Sequence, residues 1–152
     1  MDRREVLRQM RRLKLPADAY VVVGGAAMAV RGIRETEDID LVVTPSLFAD
    51  LERAGWRRKR RPNGKPGLRR DQLEAYLDVN TESFQRTTAW LLEHAEIVEG
   101  VPLADLESLV GFKRSYGRAK DIADLKLLRM YVGEEGKVLP AAQQPDAADR
   151  DR

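Results

Sequence analysis

Residues 21–43 read VVVGGAAMAVRGIRETEDIDLVV, an apolar run, a glycine pair, a short alanine-rich span and a second apolar run carrying Asp38 and Asp40. That order predicts strand, glycine turn, helix, strand. An acidic side chain within an apolar strand is costly to bury without a partner, and here two stand at positions i and i+2. Strand side chains alternate with a period of two, so both carboxylates project from one face, roughly 6 to 7 Å apart at Cα for a rise of ~3.3 Å per residue. Two carboxylates on one face repel one another unless a cation lies between them.

The chain has 152 residues, 43% hydrophobic and 34% charged, which suits one globular domain over residues 1–138. The tail over 139–152 has no large apolar side chain after Pro140 and reads as disordered. No run of about 18 apolar residues spans a bilayer. The start MDRREVLRQMRRLKL lacks the apolar core of a signal peptide, so a cytoplasmic protein with no membrane partner is expected. The absence of cysteine excludes disulfides and thiolate zinc sites, and a single histidine, His94, excludes a multi-histidine metal site. His94 reads as an ordinary helix-end residue. Any metal here must be held by oxygen.

Net charge is only +2 and the pI about 9.0, so the distribution matters more than the total. Arg57, Arg58, Lys59, Arg60, Arg61, Lys65, Arg69 and Arg70 place eight basic residues and no acid within RRKRRPNGKPGLRR. The run is a candidate track for a polyanion such as RNA, with a solvated charged strand as the structural alternative.

In chain order, Val6, Leu7, Met10 and Leu13 follow helical spacing over residues 2–14, and Tyr20 to Val23 form a buried strand. Ala26 to Val30 suit a small helix, Ile39 to Val43 a second strand, and Pro45 opens a helix that Gly55 closes. The turn-rich PNGKPG at 62–67 is flanked by basic segments and predicts a hairpin or a loop. AYLDVN at 75–80 has strand composition, with Tyr76, Asp78 and Asn80 on one face. Residues 83–94 read as a helix, 96–103 as a short hairpin, and 105–115 and 119–132 as two closing helices.

Asp38, Asp40 and Asp78 thus offer an all-oxygen site for Mg²⁺, an ion that takes carboxylates together with substrate phosphates. A strand entering Gly24-Gly25 and then a helix presents bare backbone amides where a triphosphate can sit. Two metal ions ~4 Å apart would activate an attacking hydroxyl and neutralise a leaving pyrophosphate. The implied chemistry is nucleotidyl transfer.

Gly24-Gly25 followed by Arg34-x-Thr36-x-Asp38-Ile39-Asp40-Leu41 resembles the signature of the DNA polymerase β-like nucleotidyltransferase superfamily. The likeness is to small bacterial members related to abortive-infection toxins of the AbiEii type. It extends to Leu106-x-x-Leu109-Val110-x-x-Lys113 and Gly117-Arg118-x-Lys120-Asp121-x-x-Asp124-Leu125, covering roughly residues 20–131. The resemblance implies an α/β (α+β) minimal nucleotidyltransferase fold, a mixed twisted sheet flanked by helices with C-terminal helices. It further implies Asp38, Asp40 and Asp78 as catalytic metal ligands for two Mg²⁺ ions. Gly24, Gly25, Arg34, Thr36, Lys113 and Asp121 would bind the nucleoside triphosphate. The acceptor would be a hydroxyl on tRNA or other RNA, a protein or a small molecule, and a toxin–antitoxin partner protein is implied with it. The chain departs from the pattern at Ala26, where relatives carry a small hydroxyl residue. A catalytically degenerate protein that binds nucleotide, RNA or a partner is therefore the alternative. In a purely structural reading, Lys113 is a surface lysine and Lys120–Asp124 an i,i+4 ion pair.

Overall fold

A computed structural model of the protein describes residues 1–134; the expected tail at 139–152 lies outside the described residues. The chain divides into two compact units, one from 1–79 with 86–105, the other from 80–85 with 106 onward.

The first unit is built on a seven-stranded mixed sheet in the order β3-β4-β5-β2-β1-β7-β6. Helix α1 (Arg3–Leu13) is capped by the Asp2 carboxylate, which accepts from Glu5 N, and its apolar stripe of Val6, Leu7 and Met10 is buried. Strand β1 (Tyr20–Val23) is buried at all four positions and runs directly into α2 (Gly24–Val30). Strand β2 (Ile39–Val43) pairs antiparallel with β1. Thr44 caps α3 (Pro45–Arg53), accepting from Leu47 N, with Pro45 in the first turn where its missing N–H is harmless.

The basic segment is a hairpin. Strands β3 (Arg57–Arg60) and β4 (Pro66–Arg70) pair antiparallel, and β4 pairs antiparallel with β5 (Leu73–Tyr76), which runs parallel to β2. Helix α4 covers only Thr88–Glu93 because Thr87 caps it, so the expected helix over 83–94 is shorter than its apolar spacing implied. His94 stands at its C-terminal cap. The hairpin over 96–103 is present as β6 (Glu96–Val98) and β7 (Val101–Leu103), the latter parallel to β1.

One expectation fails here. The strand assigned to AYLDVN begins earlier and ends at Tyr76, so Asp78 lies beyond it. Asp71, with φ 54°, and Gln72 make a two-residue connection that starts β5 at Leu73. After Tyr76 the backbone is held by side chains instead of a ladder: Arg61 donates to the Asp78 carbonyl at 2.7 Å and the Thr88 hydroxyl to that of Leu77 at 3.4 Å.

The second unit holds α5 (Leu106–Tyr116) and α6 (Ala119–Glu134), with Leu109, Val110, Phe112 and Leu128 buried. The Phe84 ring meets Phe112 edge-on at 4.9 Å, over the surface that Gly111 leaves bare. A Cβ on Gly111 would stand inside van der Waals contact of the Phe84 ring. Gly111→Ala is therefore expected to cost ~1–3 kcal/mol by overpacking. Equilibrium denaturation checks this, with Phe84→Leu in the same chain recovering part of the loss.

Candidate active site

Register gathers the acids. In β1–β2 Val23 stands opposite Asp40, and in β2–β5 Asp40 stands opposite Glu74. Glu74 is in turn opposite Arg69 in β4, and Arg69 opposite Arg57 in β3. Cross-strand partners share a face, so Arg57, Arg69, Glu74 and Asp40 form one row across four strands. The next row on that face is Lys59, Gly67, Tyr76 and Val42. The carboxylate beside Asp40 is thus that of Glu74. Asp78 is engaged elsewhere, its Oδ1 accepting from Lys65 Nζ at 2.9 Å.

Glu74 is buried and charged, which requires donors. Arg69 Nη1 donates to Oε1 at 2.9 Å, Lys59 Nζ lies 3.0 Å from Oε2, and the Tyr76 hydroxyl donates to Oε2. Burial opposes the charged form, but the hydrogen bonds from Tyr76 and Lys59 and the charges of Lys59 and Arg69 overcome it. Together they hold the carboxyl below its ordinary range. The same network raises the Tyr76 phenol: burial contributes most, then its hydrogen bond to Glu74, then the charges of Asp40 and Glu74, opposed by Arg61. Tyr76 stays protonated and donates. Arg69 Nη2 also comes within 4.0 Å of Asp38 Oδ1, so one guanidinium spans two acids.

The glycine turn closes the site from β1. Gly24 has φ 62°, a left-handed value that a side chain would strain, and a Cβ there would lie 3.7 Å from Asp40 Oδ2. A Cβ on Gly25 would stand 2.8 Å from Thr36 Oγ1 and 3.0 Å from the Arg34 guanidinium. Only glycine allows these groups to close on the turn. Thr36 is buried and its hydroxyl donates to the Asp38 carbonyl at 2.9 Å, tying the turn to the acidic strand end. Gly24, Gly25, Arg34, Thr36, Asp38 and Asp40 are therefore brought together as the sequence implies.

Among the described residues no three carboxyl or imidazole groups converge closely enough to cage a metal. The donor set still fits a hard divalent cation, since Mg²⁺ takes one or two carboxylates, here Asp38 and Asp40, and completes its shell with phosphate oxygens and water.

The basic hairpin is largely neutralised within the protein. Arg58 pairs with Glu52, Lys59 and Arg69 with Glu74, and Lys65 with Asp78, while Arg61 lies over the Tyr76 ring at 4.5 Å. Arg57, Arg60 and Arg70 remain as exposed side chains. The candidate polyanion track is thus narrower than its eight bases imply.

In the second unit Lys113 is buried, with Nζ 2.8 Å from Asp124 Oδ2 and 3.8 Å from Asp121 Oδ1. Arg118 donates to Asp121 Oδ2 from its backbone N at 3.1 Å and from Nε at 2.6 Å. Asp124 therefore pairs with Lys113, and Lys120, its expected i,i+4 partner, is exposed. Lys113 is not the surface lysine of the structural reading.

Glu74, Tyr76 and the bridging role of Arg69 escape the sequence reading. An alternating reading of LEAY after Asp71-Gln72 could have found Glu74, but Asp-Gln is a weak turn signal beside Asn-Gly or Asp-Gly. For the second unit, Lys113→Met is expected to cost ~3–5 kcal/mol of stability, since it removes the buried cation that lies 2.8 Å from Asp124 and 3.8 Å from Asp121. Thermal or chemical denaturation measures this, and an unchanged midpoint would show that Lys113 does not hold α5 to α6.

No protein-family profile matches the sequence, and no curated protein matches it. Among solved structures, the crystal structure of ANT(2")-Ia in complex with adenylyl-2"-tobramycin aligns with 86% of this chain and 87% of that one. The TM-score is 0.51 at 18% sequence identity. The chain therefore shares the mixed-sheet fold of a nucleotidyltransferase, with helices flanking the sheet and closing the chain.

Proposed function

We propose that the protein is a metal-dependent nucleotidyltransferase of the polymerase β-like superfamily, moving a nucleoside monophosphate from a nucleoside triphosphate to a hydroxyl. The observation that carries this reading is the meeting of the Gly24 turn with Asp40, 3.7 Å from a Cβ position to a carboxylate oxygen, beside Glu74 in register. Backbone amides of the turn suit phosphate oxygens. Asp38 and Asp40 would hold Mg²⁺, two ions when the site is full, which supplies charge neutralisation at the phosphates.

In the reaction the acceptor oxygen bonds to the α-phosphorus, the bond from that phosphorus to the bridging oxygen breaks, and pyrophosphate departs. Glu74 stands as third carboxylate in place of Asp78, which the sequence reading made a metal ligand, and it accepts the hydroxyl proton. Lys59 and Tyr76 orient its carboxylate. Near the turn that Ala26 leaves without a hydroxyl stands Thr36 Oγ1, 2.8 Å from the Cβ position of Gly25, with its proton given to the Asp38 carbonyl. Lys113 and Asp121 act by holding α5 and α6 together.

The acceptor is a hydroxyl on RNA, on a protein or on a small molecule such as an amino-sugar antibiotic. Internal pairing of the basic hairpin weakens the case for RNA. The AbiEii-type resemblance adds a cytoplasmic toxin–antitoxin setting with a partner protein. Among the described residues no helix is long and apolar enough to cross a membrane.

A binding-only reading is favoured by one observation: the cations already seated on Glu74 and near Asp38 neutralise the site without metal. Each α-labelled triphosphate, incubated with Mg²⁺ and total tRNA, lysate protein or tobramycin, separates the two. Label transfer that falls at least ~10²-fold in Asp38→Ala or Asp40→Ala is expected, the scale of losing a preorganised electrostatic group. Thermal stabilisation by nucleotide with no transfer above those variants would establish the binding-only reading.

A further inference from the structure

Arg69 reaches both Glu74, the register partner of Asp40, and Asp38. Its Nη1 lies 2.9 Å from Glu74 Oε1 and its Nη2 4.0 Å from Asp38 Oδ1. It sits where the charge of the acidic strand ends asks for a cation. Two features mark the contact as replaceable. The Arg69 side chain is 47% exposed, and an ion pair at that exposure is worth little net free energy. Glu74 is not stranded when Arg69 moves, because it keeps Lys59 and Tyr76.

We propose that Arg69 is an internal counter-ion competing with the divalent cation: it bridges Asp38 and Glu74 in the metal-free protein and swings away when metal binds. The inference rests on the metal-dependent reading above. Metal affinity is then set partly by the β3–β4 hairpin, and the freed guanidinium points its donors to the substrate side of the acids. A doubly charged, compact ion outcompetes a guanidinium at 4.0 Å from Asp38, which is a long contact for a salt bridge.

The test is Mn²⁺ binding to the full chain, followed by the electron paramagnetic resonance signal of free Mn²⁺ at low ionic strength, in wild type, Arg69→Gln and Arg57→Gln. Arg57 is the register neighbour of Arg69 and controls for loss of one positive charge from the row. Arg69→Gln is expected to bind Mn²⁺ about five-fold or more tightly than wild type, with Arg57→Gln within about two-fold of it. Thermal melting gives the second readout: Arg69→Gln should melt close to wild type without metal and gain more from Mn²⁺. Equal or weaker Mn²⁺ affinity in Arg69→Gln, with wild-type binding intact, overturns the role of Arg69 and leaves the metal reading standing. No Mn²⁺ binding by wild type and Arg69→Gln alike overturns both.

Discussion

Negative charge gathered at the ends of two parallel strands has to be answered by positive charge, and much of the first unit is arranged around that requirement. Asp38 and Asp40 meet Glu74 because β2 and β5 run parallel in register, and no stretch of apolar packing can relieve three carboxylates in one neighbourhood. The relief comes from β3 and β4, whose Lys59 and Arg69 reach the acids from the next strands. A hairpin with eight bases is therefore less a separate binding surface than the counter-charge of the acidic face, with three exposed arginines left over. Its cations answer the acids from within the fold.

The glycine turn answers a different requirement, that backbone approach carboxylate. Positive φ at Gly24 and the crowding of Thr36 and Arg34 against Gly25 both exclude side chains there. The result is a turn that comes close to the Asp40 carboxylate, with Thr36, whose hydroxyl holds the Asp38 carbonyl, packed against Gly25. The glycine turn and the Asp40 carboxylate thus belong to one corner of the sheet. The second unit solves a related problem with other means: Lys113, Asp121, Asp124 and Arg118 form a paired charge cluster between two helices, whose removal in part is worse than its absence.

The local order of strand, glycine turn, helix and strand over residues 21–43 was legible because each signal is short-range: apolar runs, glycine and an i, i+2 carboxylate pair. So were α1, α3 with its first-turn proline, and the hairpin of 96–103. Thr87 was readable in principle, yet the apolar spacing of Ser83 to His94 outweighed the cap. The error at AYLDVN had the same character. Leu77 and Val79 continue an apolar alternation that the backbone does not, since Arg61 and Thr88 take up its carbonyls.

What the sequence by itself determined was the mixed α/β class and the corner formed by Gly24, Gly25, Thr36, Asp38 and Asp40, since those residues stand within seventeen positions of one another and local rules connect them. What only the tertiary structure decided was which distant groups join that corner. Strand register selects Glu74 over Asp78 and brings Arg69 between the acids, and register is set by turn geometry and by pairing between strands far apart in the chain. A one-residue slip would put Glu74 on the opposite face. No local pattern of charge and hydrophobicity contains that information.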